Sequence, residues 1–152
     1  ISERRINQVL DPQWSGQKAL LANDEGLESG LMIVQYVAAA VIAELSLLSN
    51  PVSTTNVPVS MGKEDHVSMG ATAAFRTLKA SKLLSSVISS ELICSCQALD
   101  NISERPSDSV SKIHEWVRKY VSKLDSDRST TEDTEIIAEK ILTTEFSGIF
   151  RK

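Results

Sequence analysis

The apolar positions of this chain recur mostly at helical spacing. Ile6, Val9 and Leu10 form a stripe across residues 2–10, with Arg4 and Arg5 outside it. Asp11-Pro12 then stops the segment, because proline disfavours the helical state for the residue before it. Residues 13–26 hold Gly16, Asn23, Asp24 and Gly26 and read mainly as loop. Residues 27–50 predict a long helix that, from Leu31 to Ala43, is apolar at every position except Gln35. A helix apolar all round is expected to be enclosed on all sides. Gln35 and Glu44 interrupt the apolar run, so a buried core helix is expected here and not a membrane span.

Residues 52–60, β-branched and broken by Pro58, predict an extended, ordered loop. The longest helical pattern covers 67–102, with Met69, Ala73, Leu84, Val87, Ile88, Leu92 and Leu99 as apolar contacts. Such a helix is roughly 50 Å long at about 1.5 Å per residue. A single domain of this size is only roughly 30 Å across. The mismatch predicts an oligomeric bundle in which other subunits cover the ends of the rods. Pro106 breaks the pattern, and 109–124 reads as an amphipathic helix with Val110, Ile113, Trp116, Val117, Tyr120, Val121 and Leu124 inward. A polar connection follows at 125–131. Ser129 and Glu132 have capping-box spacing and introduce a last helix over 132–142. The tail to Lys152 carries no clear pattern.

Composition narrows the function. Apolar residues are 41% and charged residues 24%, as in a globular domain. A net charge of -4 leaves no electrostatic footprint for nucleic acid, and 5% aromatics argue against base stacking. Cys94 and Cys96 sit two apart on a helix, point to different faces and cannot easily bridge. They read as buried thiols in a reducing compartment, which sets the expectation of a cytoplasmic protein. The chain starts at Ile1 and not at Met, so a fragment, a processed piece or a trimmed chain is expected.

No Gly-x-Gly-x-x-Gly, phosphate loop or Gly-x-Ser-x-Gly elbow occurs. His114-Glu115 begins like a zinc helix, but Arg118 stands where the second histidine belongs. Asp125-Ser126-Asp127 opens like a calcium loop, but Thr130 and Ile136 stand where a glycine and an acid are required. No metal is expected, and 125–127 reads as a solvated connection. The chemistry concentrates in residues 61–70, Met-Gly-Lys-Glu-Asp-His-Val-Ser-Met-Gly. Glu64, Asp65 and His66 have two readings. Acids favour the positive end of a helix dipole, so they suit a helix N-terminus. Alternatively, one carboxylate is directed into a cavity, where it binds a cationic or N–H-bearing ligand.

Three blocks carry a family resemblance. They are Gly26-Leu27-Glu28-Ser29-Gly30-Leu31-Met32-Ile33 with Gln35 and Ala38-Ala39-Ala40, then Lys63 through Ala71, then Glu91-Leu92 with Cys96-Gln97 and Leu124 through Arg128. Together with Ser2 through Ile6 they resemble histidine ammonia-lyases, of the aromatic amino acid lyase family, over nearly the whole chain. The Glu64-to-Gly70 run is the specific part. The resemblance implies an all-α, long-helix bundle, with residues 1–152 as one C-terminal helical region of a tetrameric lyase. Such enzymes eliminate ammonia from an amino acid; histidine gives urocanate. Their electrophile is a methylidene-imidazolone group cyclised from Ala-Ser-Gly. That tripeptide is absent here, so the resemblance puts the electrophile on an upstream part or a separate chain, and the isolated chain is expected to be inactive. The family's catalytic tyrosine and carboxylate-binding arginine match neither Tyr36, Tyr120 nor any arginine present. Two positions carry over. Glu64 matches the glutamate facing the substrate imidazole in histidine-specific members, where phenylalanine- and tyrosine-specific relatives usually have glutamine. Met32 matches an apolar residue beside the substrate ring, a position that plain core packing explains equally well. His66 is expected to hold the loop–helix junction. Lys63 departs from the family's usual glutamine at the pocket edge. The alternatives are a phenylalanine or tyrosine lyase and a non-catalytic helical assembly module.

Overall fold

A computed structural model describes residues 1–150. Among them the regular structure is helical: α1 Ser2–Leu10, α2 Pro12–Ser15, α3 Met32–Leu48, α4 Gly70–Asp100, α5 Asp108–Arg118, α6 Thr131–Ile141 and α7 Thr144–Gly148. The only extended pairing among these residues is in two isolated bridges. The all-helical expectation holds. α4 is the axis. It has 31 residues, about 46 Å at the usual rise, and it packs against α1, α3, α5 and α6.

α3 lies antiparallel to the first two thirds of α4. At one end the Arg76 guanidinium donates to the Leu47 and Leu48 carbonyls at 3.1 and 2.9 Å. These belong to the last turn of α3, whose carbonyls have no partner within the helix. Lys79 pairs with Glu44 one turn further along. Towards the other end Val34 and Ala38 join Ile93, Cys94 and Ala98 in one core, completed by Ile6 and Leu10 of α1. A second core gathers Cys96, Trp116, Val117, Val121 and Ile137 under α5 and α6. α6 sits close because α4 presents small buried residues to it: Ser89 Oγ donates to the Thr134 carbonyl at 2.8 Å.

The expectation that α3 is enclosed on all sides is not met within one chain. Only Val34 and Ala38 are buried. Ile33, Tyr36 and Leu47 are 55%, 65% and 71% exposed, and Phe75 and Leu78 on α4 are exposed beside them. α1 and α4 cover one stripe, and among the described residues nothing encloses the opposite face. Met32–Thr54 is long and apolar enough to cross a membrane, at a mean hydropathy of 1.8, with 11% of that window buried.

Element ends shift for local reasons. Residues 27–31 are not helical. Glu28 Oε2 accepts the Asn23 and Asp24 amides, and the Asp127 carboxylate accepts the Ser29 and Gly30 amides at 2.8 and 2.9 Å. Asp127 therefore clamps the entry to α3, which corrects the reading of 125–127 as a merely solvated connection. Residues 13–26 contain a helical turn, α2, capped by Asp11, whose side chain accepts the Gln13 amide with Pro12 at the first position. α5 ends at Arg118. Beyond it the chain turns inward because the buried Gln97 amide exchanges two 2.9 Å hydrogen bonds with the Leu124 backbone. Ser129 does not cap α6; Thr130 takes that position without a side-chain bond, while Arg128 pairs with Asp133 at 2.6 Å. In the tail, α7 is tied down by Glu145, which accepts from Trp116 Nε1, Lys119 Nζ and Tyr120 Oη.

Candidate functional site

Helix α4 starts at Gly70, so Glu64, Asp65 and His66 do not form its first turn. This overturns the helix-dipole reading of the acids. They sit instead on a closed loop between α3 and α4. Pro51 leads out of α3 into a short 3-10 turn, Val52–Thr54. Asn56 and Val67 then join the two arms of the loop. Asn56 Nδ2 donates to the Val67 carbonyl at 2.7 Å, and the Val67 amide donates to Asn56 Oδ1 at 3.1 Å. Further out, Val59 and Glu64 exchange backbone hydrogen bonds of 2.9 and 3.3 Å. At the tip Ser60, Met61 and Gly62 all have positive φ, at 55°, 57° and 80°. The left-handed region costs a side-chain-bearing residue about 1–2 kcal/mol, so this tip stores strain that the two clamps hold. Strained turns of this kind cluster at functional sites.

A cleft of about 570 Å³ opens against the base of the loop, lined by Pro51, Val52, Asn56, His66, Met69 and Ala73 among others. Its walls are mainly apolar with a few polar groups, the usual make-up of a small-molecule site. His66 lies in that lining, at the loop–helix junction. Glu64 is not in the lining. It is exposed, and among the described residues its carboxylate makes no hydrogen bond or ion pair. Glu64 is therefore a free acceptor on a backbone held from both sides.

Met32 is half-buried and is the first residue of α3. It stands two residues after Gly30, whose φ is +53° and whose amide is held by Asp127, with Leu31 between them as the N-cap. α3 has 17 residues, roughly 25 Å, and Met32 opens it at the end of the helix pair away from the Glu64 loop. The fold of one chain does not gather the two predicted substrate contacts into one pocket.

The remaining chemistry is structural. His114 Nε2 meets Asp100 Oδ1 at 2.6 Å, and Arg118 Nε donates to Asp100 Oδ2 at 2.9 Å. The acid that ends α4 is thereby tied to α5, and the zinc-like start at His114 is explained by this pairing. Among the described residues no group of three or more His, Cys, Asp or Glu could hold a metal. Cys94 and Cys96 are free and buried. Burial, with Cys96 nearby, pushes the Cys94 thiol up to about 12, and burial pushes Cys96 up to about 11. Neither suits a nucleophile, which acts as thiolate. Asn56 was not singled out from sequence, and Gln97 and Asp127 stood there only inside quoted motifs, with no part in holding the fold. Each works through backbone groups 11 to 98 positions away, and only the fold makes such partners visible.

A fold of long antiparallel helices with a strained polar loop between the two longest defines the class. Residues 1–119 match the family model described as aromatic amino acid lyase, and the chain belongs to that family. It is 39% identical over 142 residues to a histidine ammonia-lyase of Myxococcus xanthus, covering 93% of this chain and 28% of that protein. The crystal structure of histidine ammonia-lyase from Trypanosoma cruzi superposes with a TM-score of 0.90 at 29% identity, over 98% of this chain and 29% of that one. A tyrosine aminomutase from Streptomyces globisporus gives 0.91 at 33% identity, over 97% and 29%. The chain thus spans little more than a quarter of the length of these proteins. Family members use a methylidene-imidazolone group. The Ala-Ser-Gly that forms it is absent from these 152 residues, which do not supply it.

Proposed function

We propose that this chain is the C-terminal part of a histidine ammonia-lyase and contributes Glu64 and Met32 to binding L-histidine for elimination of ammonia to urocanate. The observation that carries the reading is Glu64: an unpaired carboxylate on a doubly clamped loop beside an apolar-walled cleft. A carboxylate accepts a charge-assisted hydrogen bond from an imidazole N–H. A phenyl ring gives it no partner and leaves it desolvated at a cost. Met32 supplies apolar wall. The electrophile and the base come from polypeptide outside this chain.

The two residues stand at opposite ends of a helix pair. They serve one site only where another copy, or an upstream part, completes it. The exposed faces of α3 and α4 support a homo-oligomeric bundle. Protein and not lipid is the proposed cover, because α3 carries Gln35 and the paired Glu44, which hydrocarbon would penalise. A cytoplasmic setting suits two free, buried thiols.

Two other readings stay in play. The superposition on a tyrosine aminomutase favours chemistry on another aromatic amino acid, and the bare apolar faces suit a helical module that only assembles. Adding histidine to the isolated chain and following urocanate absorbance separates these. No product alone, with product restored by an upstream partner, supports the reading. No product from histidine in the reconstituted protein, with turnover of tyrosine or phenylalanine, replaces it. A stable monomer at micromolar concentration by light scattering contradicts the oligomer.

A further inference from the structure

We infer that Asn56 is a positioning residue for Glu64, setting selectivity for an imidazole-bearing substrate without touching it; the inference rests on the function proposed above. The loop from 56 to 67 lies mostly in solvent. Asn56 and Val67 are its half-buried base, and the Asn56 side chain supplies both bonds that close it, 2.7 Å to the Val67 carbonyl and 3.1 Å from the Val67 amide. A primary amide is the one side-chain group that donates and accepts side by side at this reach, as a strand partner would.

The closure has a defined load. Above it the chain is held by the Val59–Glu64 backbone pair and by two turn bonds inside the tip, from the Gly62 amide to Val59 and from the Lys63 amide to Ser60, both 3.1 Å, and the tip runs through consecutive left-handed positions, with Met61 96% exposed. Burial contributes nothing there to hold Ser60 and Met61 in that conformation. Released at its base, the tip and its turn bonds move as a unit on the two freed arms and carry the Glu64 backbone with them. Asn56 also lines the 570 Å³ cleft with His66 and Val67, so the residue that closes the loop is also part of the cleft wall at the loop's base. A catalytic contact misplaced by about 1 Å loses up to about a hundredfold in rate, which is the scale of effect available to Asn56.

The test is a double-mutant cycle in the complete lyase, reading kcat/KM for histidine and for phenylalanine. Asn56→Ala removes both bonds. It is expected to lower histidine kcat/KM roughly tenfold or more while phenylalanine changes little. In a Glu64→Gln background the same substitution is expected to have almost no further effect on the histidine-to-phenylalanine ratio, because coupled residues are not additive. Asn56→Asp keeps the acceptor for the Val67 amide and loses the donor; it is expected to fall between the two and serves if the alanine variant fails to assemble. Equal losses on both substrates, or full additivity with Glu64→Gln, overturn the positioning role and leave a merely structural residue. A Glu64→Gln enzyme with unchanged selectivity instead overturns the function on which the inference rests.

Discussion

Gly30→Ala is the sharpest test of the fold at the entry to α3. Gly30 has φ +53°, and a Cβ there would lie 2.4 Å from the Leu20 carbonyl oxygen and 2.9 Å from the Ala22 nitrogen. Both are backbone atoms and neither can swing away. The Leu20 carbonyl already accepts the Leu31 amide at 3.0 Å, so relief breaks a bond that starts the helix. The left-handed conformation costs alanine about 1–2 kcal/mol, and forced overpacking adds about 1–3 kcal/mol. Gly16→Ala is the control: φ is +68° and nothing lies within 4 Å, so only the first cost applies. Equilibrium urea unfolding of the assembled protein should place Gly30→Ala about 1–3 kcal/mol below Gly16→Ala. Hydrogen exchange should rise at Leu31–Val34 and not around Gly16. Two variants of equal stability would refute the close approach of residues 20–22 and 30, and with it the account of how Met32 is placed.

Further outcomes follow from the buried network and the tail. Gln97→Leu strips the Leu124 amide of its partner and is expected to cost about 1–3 kcal/mol by denaturant titration, whereas Gln8→Leu on the exposed side of α1 should cost almost nothing. The Tyr120 hydroxyl first, then Lys119, holds the Glu145 carboxyl below its ordinary 4.5. A lowered folded value means the tie is present above 4.5 and lost as pH falls through that lowered value. Trp116 fluorescence should therefore shift in acid, and Glu145→Gln should give the acid-like signal at neutral pH. Burial raises both thiols, so their contribution is full below the ordinary 9.0 and drains as pH rises toward about 12. Thermal melts should show a matching alkaline decline that Cys94→Ala reduces.

Helix existence was legible where a segment buries a regular stripe in its own chain. Ile6 and Leu10 mark α1, and Trp116 and Val117 mark α5. Helix ends were not, because distant groups set them: Asp127 holds residues 29 and 30 out of α3, and Gln97 turns residues 119–124 inward. α3 read as enclosed because it is apolar almost all round, whereas the single chain covers only the stripe that holds Val34 and Ala38. Glu64 was picked out by its family motif. Its loop setting was not, because three residues separate His66 from the start of α4 at Gly70 and acids ahead of a helix look alike in sequence whether or not they cap it. The Asn56–Val67 closure has no local signature at all.

The proposal turns on one acidic side chain recognising a ring N–H. The most direct measurement is steady-state turnover of histidine and phenylalanine by the complete enzyme carrying Glu64→Gln. Losing the charge is expected to reduce histidine kcat/KM by about tenfold or more and to leave phenylalanine unchanged or improved. Equal loss on both substrates, or none on either, would contradict it.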